Sequence, residues 1–143
     1  MNADRSLSRR RRGGFTLIEV LLVLVILVIL GAIAAPLYIS TQQQANIKAA
    51  KAQALNLKSP LNVYRLNTGD FPASLDALYQ PPADLADPNK WGGPYLEEQL
   101  PPDPWGNQYQ YQYPGSRNPG TYDVWSMGPD KADGTDDDVG NWD

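Results

Sequence analysis

The sequence predicts an α+β fold, a long N-terminal helix packed on a small antiparallel sheet with a C-terminal loop. Three observations carry that expectation. An apolar run from Leu17 to Ala35 passes into a pattern of apolar residues at helical spacing. Two short segments, Gln108 to Tyr113 and Thr121 to Met127, read as strands. The stretch from Gly128 to Asp143 is acidic and turn-rich, with a tryptophan near each end.

The helix comes first. Leu17 to Ala35 reads LIEVLLVLVILVILGAIAA, with Glu19 its only charge. That is close to the ~20 residues a helix needs to cross a bilayer. Beyond Pro36, residues Ile47, Ala50, Ala54, Leu57, Leu61 and Tyr64 succeed one another at spacings of three and four, which makes one apolar face. A helix from about Thr16 to Leu66 would be roughly 75 Å long at 1.5 Å per residue. Its first half is apolar all round and its second half on one stripe. A head can pack only on the stripe, so the first half needs lipid or further copies of itself around it. Pro36 is expected to kink the helix or melt a turn near Gly31 to Pro36. Pro60 either kinks or breaks it inside the head, and a single helix is the expectation.

Asn67 and Gly69 should terminate the helix. Ser74 reads as the N-cap of a short helix, Leu75 to Tyr79. From Gln80 to Trp105 the chain reads as an ordered loop anchored by Trp91, Tyr95, Leu96 and Leu100. Within it, Asp103-Pro104-Trp105-Gly106 reads as a turn with an aromatic plug. QYQYQY, residues 108–113, alternates perfectly, and Tyr109, Tyr111 and Tyr113 read as strand surface. Pro114 to Gly120 turns the chain into the second strand. Two strands alone are marginal, so the hairpin must pack on the helix stripe.

Charge is unevenly placed. The 143 residues hold 12 basic and 16 acidic side chains. Arg5, Arg9, Arg10, Arg11 and Arg12 all lie in the first 14 positions, with Asp4 as the one acid there. The remainder carries seven basic and fifteen acidic residues, a net charge near −8. An acidic body argues against nucleic acid as a partner, because that binding depends on neutralising phosphates. There is no cysteine and no histidine. Disulfides, thiolate metal sites and histidine-based catalysis are therefore absent, and a non-enzymatic role is expected. The arginines before the apolar run hold the N-terminus in the cytoplasm and send the C-terminal part of the chain across the membrane. An acid within such a run costs about 2.5 kcal/mol or more, so Glu19 is a candidate functional residue.

RRRRGGFTLIEVLLVLVIL, residues 9–27, resembles the class III signal of type IV pilins and type II secretion pseudopilins. The resemblance implies a type IV pilin-like fold and cleavage by a prepilin peptidase between Gly14 and Phe15, on the cytoplasmic side. It also implies N-methylation of Phe15 and an assembly role for Glu19. The domains are then a removed signal, 1–14, a transmembrane and filament-core helix, 15–36, and a periplasmic head, 37–143. The buried Glu19 needs a partner. The Phe15 amine of a neighbouring copy would supply one and fix the axial register of the two helices.

The head adds specificity. YRLNTGDFP at 64–72, LPPDPWGNQY at 100–109 and DVWSMGPD at 123–130 are similar to segments of the major pseudopilins of type II secretion systems. The absence of cysteine fits them better than adhesive pilins with a C-terminal disulfide loop. Asp130, Asp133, Asp136, Asp137, Asp138 and Asp143 lie within 14 residues. By composition alone that is either a solvated acidic tail or a site for a hard cation, and it is no EF-hand, because Ala132 replaces a ligand. The resemblance implies one structural calcium, held by the side chains of Asp130, Asp137 and Asp138 and the carbonyls of Met127 and Val139. Lys131 stands where the family usually has glycine.

The implied function is that of the major subunit of the type II secretion pseudopilus, polymerising in the periplasm to help export folded proteins. The implied partners are copies of itself, minor pseudopilins, the prepilin peptidase and the inner-membrane assembly platform. The implied location is the inner membrane, crossed once. The alternatives are a type IV pilin for adhesion, motility or DNA uptake, and a membrane-tethered calcium-binding protein that never polymerises.

Overall fold

In the computed structural model, residues 14–142 are described. The arginine cluster, Gly13 and Asp143 lie outside them. The chain divides into two compact units, Met1–Ser40 and Thr41–Asp143. Helix α1, Leu17–Asn56, runs through the end of the first unit into the second.

In the first unit α1 is long and apolar enough to cross a membrane, by length and composition. Its large apolar side chains between Leu17 and Ile39 are all exposed. Pro36 lies inside the helix, which continues past it. The missing Pro36 N–H leaves the Ala32 carbonyl without its usual donor.

The second unit is built on the stripe. Ala50, Ala54, Leu57, Leu61 and Tyr64 are buried, and Ile47 sits at the rim. The expected single helix is interrupted here. Helix α2, Lys58–Thr68, begins after a break at Leu57, which keeps helical angles (φ −70°, ψ −12°). The cause is Pro60, which has no N–H for the Asn56 carbonyl and crowds it with its ring. Because Leu57 stays near the helical region, the stripe survives the break. Gly69 ends α2 in the left-handed conformation, φ +100°, with its N–H on the Arg65 carbonyl at 2.8 Å.

A short 3-10 helix, Leu75–Leu78, comes after Ser74. The Ser74 hydroxyl makes no capping bond; its carbonyl accepts from Ala77 N at 3.3 Å. The long loop is anchored as expected. Trp91 Nε1 donates to the Ala77 carbonyl at 2.8 Å, and the amides of Tyr95 and Leu96 both donate to Leu78 O. Leu100 joins the core, with Trp91, Tyr95 and Leu96 packed against it.

The sheet has three antiparallel strands in the order β1 (Gln110–Gln112), β2 (Asp123–Ser126), β3 (Val139–Gly140). The two expected strands are shorter than predicted, and β3 is hidden in the acidic stretch. The tyrosines also depart from the expectation of strand surface. Tyr109 is buried, and Tyr111 is partly buried against the core, its hydroxyl donating to the Pro72 carbonyl at 2.8 Å. Alternate residues share a face, and here the glutamines take the outer one. Burial pushes the Tyr109 hydroxyl up to about 12.

Candidate functional site

Two places in the chain carry the candidate functional residues. The first is the start of α1. Thr16 Oγ1 accepts from Glu19 N at 3.3 Å, while Glu19 Oε2 accepts from Thr16 N at 3.2 Å and from the Thr16 hydroxyl at 3.3 Å. This is a capping box, in which both residues satisfy amides that a helix start leaves without partners. The spacing Thr-x-x-Glu is visible in the sequence, but the charge of Glu19 within an apolar run masks it. The carboxylate therefore already has partners within its own chain, at a helix end whose dipole favours a negative charge. Phe15, on the C-terminal side of the expected cut, is 84% exposed, and an added Cβ on Gly14 would meet nothing within 4 Å. Among the described residues, nothing crowds Gly14.

The second place is the C-terminal loop between β2 and β3. Its ends are tied as expected: Trp125 and Trp142 pack with ring centroids 5.8 Å apart, and Arg117 lies 4.5 Å over the Trp142 ring. Trp125 Nε1 also donates to Asp133 Oδ1 at 2.8 Å, so this extra acid is held by the indole. Strand β3 adds a tie that the sequence does not reveal, pairing Ser126 with Val139 and Trp125 with Gly140.

Inside the loop, Asp130 N donates to Asp137 Oδ2 at 3.3 Å, which brings those two residues together. Asp130 Oδ1 accepts from Ala132 N, and Asp137 Oδ1 accepts from the Thr135 hydroxyl at 2.6 Å. The Thr135 hydroxyl bond holds the Asp137 carboxyl below the usual carboxylate range. Asp138 turns elsewhere. Its Oδ2 accepts from Gly134 N at 2.8 Å, and its Oδ1 is buried with no hydrogen-bond partner. Among the described residues no three carboxylates converge as a ready metal cage. The donors at hand are carboxylate and carbonyl oxygens, the chemistry of a hard cation with flexible coordination. An orphaned buried carboxylate oxygen is the feature such a cation would relieve. The donor chemistry is thus of the kind calcium takes, though the carboxylates do not converge on one point among the described residues. Lys131 adopts φ +60°, the left-handed region where glycine is favoured.

Three further polar residues are buried here; the sequence shows them only as members of the segments 100–109 and 123–130, with no sign of their burial or partners. Asp123 is fully buried, and its carboxylate accepts from Arg117 N, Asn118 N, the Asn118 side chain and the Ser116 hydroxyl. Burial alone would raise its carboxyl, but the donors from Arg117 and Asn118 outweigh it and hold it below the usual range. Asp103, 4% exposed, and Ser126, 0% exposed, are bonded to each other. The turn at Asp103-Pro104-Trp105-Gly106 is as expected, but its buried plug is the Asp103 carboxylate; Trp105 is half-buried outside the core.

Known proteins share both the sequence and the fold. The family model described as type II secretion system (T2SS), protein G matches residues 37–142, and the prokaryotic N-terminal methylation motif matches residues 9–35. The type II secretion system core protein G of Pseudomonas aeruginosa is 38% identical over 143 residues, covering 96% of this chain and 99% of that protein. Its counterpart in Aeromonas hydrophila is 39% identical over 140 residues, covering 95% and 96%. The crystal structure of the major pseudopilin from the type 2 secretion system of enterohaemorrhagic Escherichia coli aligns with a TM-score of 0.64 at 33% identity, over 72% of this chain and 87% of that one.

Proposed function

The chain belongs to the type II secretion system protein G family, the major pseudopilins, and from that premise we propose that it works by polymerising into a periplasmic filament through its N-terminal helix. The observation that carries this is the contrast within α1. Between Leu17 and Ile39 every large apolar side chain is exposed, while from Ala50 onward one stripe is buried under the head. Such a surface is stable only in lipid or against other copies of the same helix. A subunit that exchanges the first environment for the second is a filament subunit anchored in the inner membrane until it assembles.

In this reading prepilin peptidase cuts between Gly14 and Phe15, and Phe15 becomes the methylated N-terminus. Minor pseudopilins, the inner-membrane assembly platform and further copies of the chain are its partners. No enzymatic step belongs to the chain; its work is mechanical, helping folded proteins across the outer membrane. The Thr16–Glu19 capping box gives Glu19 internal partners while the helix is alone. A neighbouring Phe15 amine then meets an acid already fixed in place, and that contact sets the register of the two helices.

Calcium completes the head. Asp130, Asp137 and Asp138, with the Met127 and Val139 carbonyls, would hold it. The ion would neutralise the crowded carboxylates and pin the loop. What supports this is the oxygen-only donor set and the unpartnered Asp138 Oδ1.

The first test is the intact mass of the membrane-extracted protein. A mass of residues 15–143 plus one methyl group is expected; a full-length mass, or a cut near Ala34, would overturn the filament reading. Glu19→Ala should still insert and be cleaved but assemble poorly, and a normal filament yield would remove its register role. Asp130→Ala should lower head stability in calcium and not in chelator, whereas equal losses in both would point to packing alone.

A further inference from the structure

Two of the expected calcium ligands are main-chain carbonyls, those of Met127 and Val139. A carbonyl has no side chain to aim it, so something else must fix its peptide plane. At Met127 the structure contains such a device. Gly128 N donates to Ser126 Oγ at 3.1 Å, and Ser126 Oγ donates in turn to Asp103 Oδ2 at 2.5 Å. A hydroxyl has one donor and two acceptor sites, and this one uses its donor toward the carboxylate and an acceptor site toward the amide. Asp103 is itself held by its other oxygen, which accepts from Trp105 N at 3.0 Å and Asn107 N at 2.8 Å.

The Gly128 N–H and the Met127 C=O belong to one planar trans peptide, in which they point in opposite directions. Fixing the N–H therefore fixes the carbonyl. Gly128 is also closely approached by the Asp137 backbone, since an added Cβ would lie 2.3 Å from the Asp137 carbonyl oxygen. Ser126 is paired across the sheet with Val139, the other carbonyl donor. One buried serine thus bonds the amide that shares a peptide with the Met127 carbonyl and pairs in the sheet with Val139, and one buried aspartate holds that serine.

We infer that Asp103 and Ser126 are positioning residues for the calcium centre, aiming the Met127 carbonyl through the Gly128 amide. The inference rests on the calcium reading above. It gives the Asp103-Pro104-Trp105-Gly106 turn a second task besides folding: it is the outer support of the metal loop. Residues that orient metal ligands without touching the metal typically carry about 10–100-fold in affinity.

The experiment is a calorimetric titration of the detergent-solubilised mature chain with calcium chloride, for the wild type, Ser126→Ala and Asp103→Asn. Tryptophan fluorescence checks that each variant is folded. Hydrogen exchange at the Gly128 amide is followed in chelator. Ser126→Ala should bind calcium about 10–100-fold more weakly and lose protection at Gly128. Asp103→Asn keeps an oxygen for the Trp105 and Asn107 amides but offers Ser126 an NH2 group, so it should weaken binding in the same direction. A folded Ser126→Ala that binds calcium like the wild type would overturn the inference, even if its stability in chelator is reduced. Should Ser126→Ala not fold, Asp103→Asn decides by the same criterion. A wild type that binds no calcium would instead sink the calcium reading, and this inference with it.

Discussion

Gly128→Ala is the substitution whose cost the structure divides most cleanly. Gly128 has φ +67°, and an alanine in the left-handed region costs about 1–2 kcal/mol. A Cβ there would also meet the Asp137 carbonyl oxygen at 2.3 Å, while real Cβ contacts essentially never fall below 3.0 Å. The loop must therefore open by at least 0.7 Å against β3, which pairs with β2 two residues further on. Forcing an extra methyl into a packed site typically costs about 1–3 kcal/mol. The sum is about 2–5 kcal/mol. Gly134→Ala is the control, since its φ is +84° but nothing lies within 4 Å of its Cβ position. It should lose only the conformational part, about 1–2 kcal/mol. Urea unfolding in chelator, monitored by tryptophan fluorescence, measures both. All four tryptophans, Trp91, Trp105, Trp125 and Trp142, belong to the head unit, so the signal reports the head alone. Equal losses in the two variants would refute the reasoning, because they would mean that the Gly128–Asp137 contact carries no packing.

The same structure sets other outcomes. The Asp123 carboxyl is held below its unfolded value, so its contribution to stability is present above about pH 4 and is lost as pH falls through the folded value. Asp123→Asn should be less stable than wild type at neutral pH and show a shallower acid limb in pH-dependent unfolding; parallel limbs would count against it. Tyr109 has the opposite sign. Its raised value, about 12, favours the folded state below about pH 10, and that contribution disappears as pH rises through 12. Tyr109→Phe should reduce the loss of stability over this window, and tyrosinate absorbance in the wild type should rise with unfolding. Lys131→Gly removes a left-handed non-glycine residue and should stabilise the head by about 0.5–1 kcal/mol in thermal unfolding, net of the entropy a glycine loses on folding. A destabilised variant would mean that the Lys131 side chain contributes more than its backbone strain.

Periodicity is the part of this fold that the sequence makes legible. The stripe from Ala50 to Tyr64 and the anchors Trp91, Tyr95, Leu96 and Leu100 can all be read because apolar spacing announces them. The break at Leu57 is half legible: Pro60 marks the place, but only tertiary packing decides between a bend and a break that preserves the stripe. Strand β3 is not legible, because Val139-Gly140 is two residues long and sits behind three aspartates. The inward turn of Tyr109 and Tyr111 escapes notice because alternation fixes two faces but not which one meets the core. Of the site, the acids are visible as a cluster, and the bonds that tie Asp137 to Asp130 and turn Asp138 toward Gly134 are not. Asp103, Ser126 and Asp123 are visible as members of segments that resemble known pseudopilins, but their burial is not, because a buried polar residue leaves no periodic pattern; its signature is a set of donors brought from distant positions.

The place of β3 in the chain orders the events of export. In the proposed topology, with the N-terminus on the cytoplasmic side, the part of the head nearest the membrane helix would emerge first. The stripe of α1 and α2 is then exposed before the residues that cover it arrive. Phe71, Leu78, Leu100 and Tyr109 follow in chain order, then Tyr122 and Val124 close the core, and Val139 comes last to complete the sheet and the acidic loop. A subunit whose export has stalled midway thus presents a bare helix and an unfinished sheet, and only one that has passed Gly140 carries a finished head. In that topology the surface of a fully exported subunit, with its sheet closed by β3, differs from that of an arrested one.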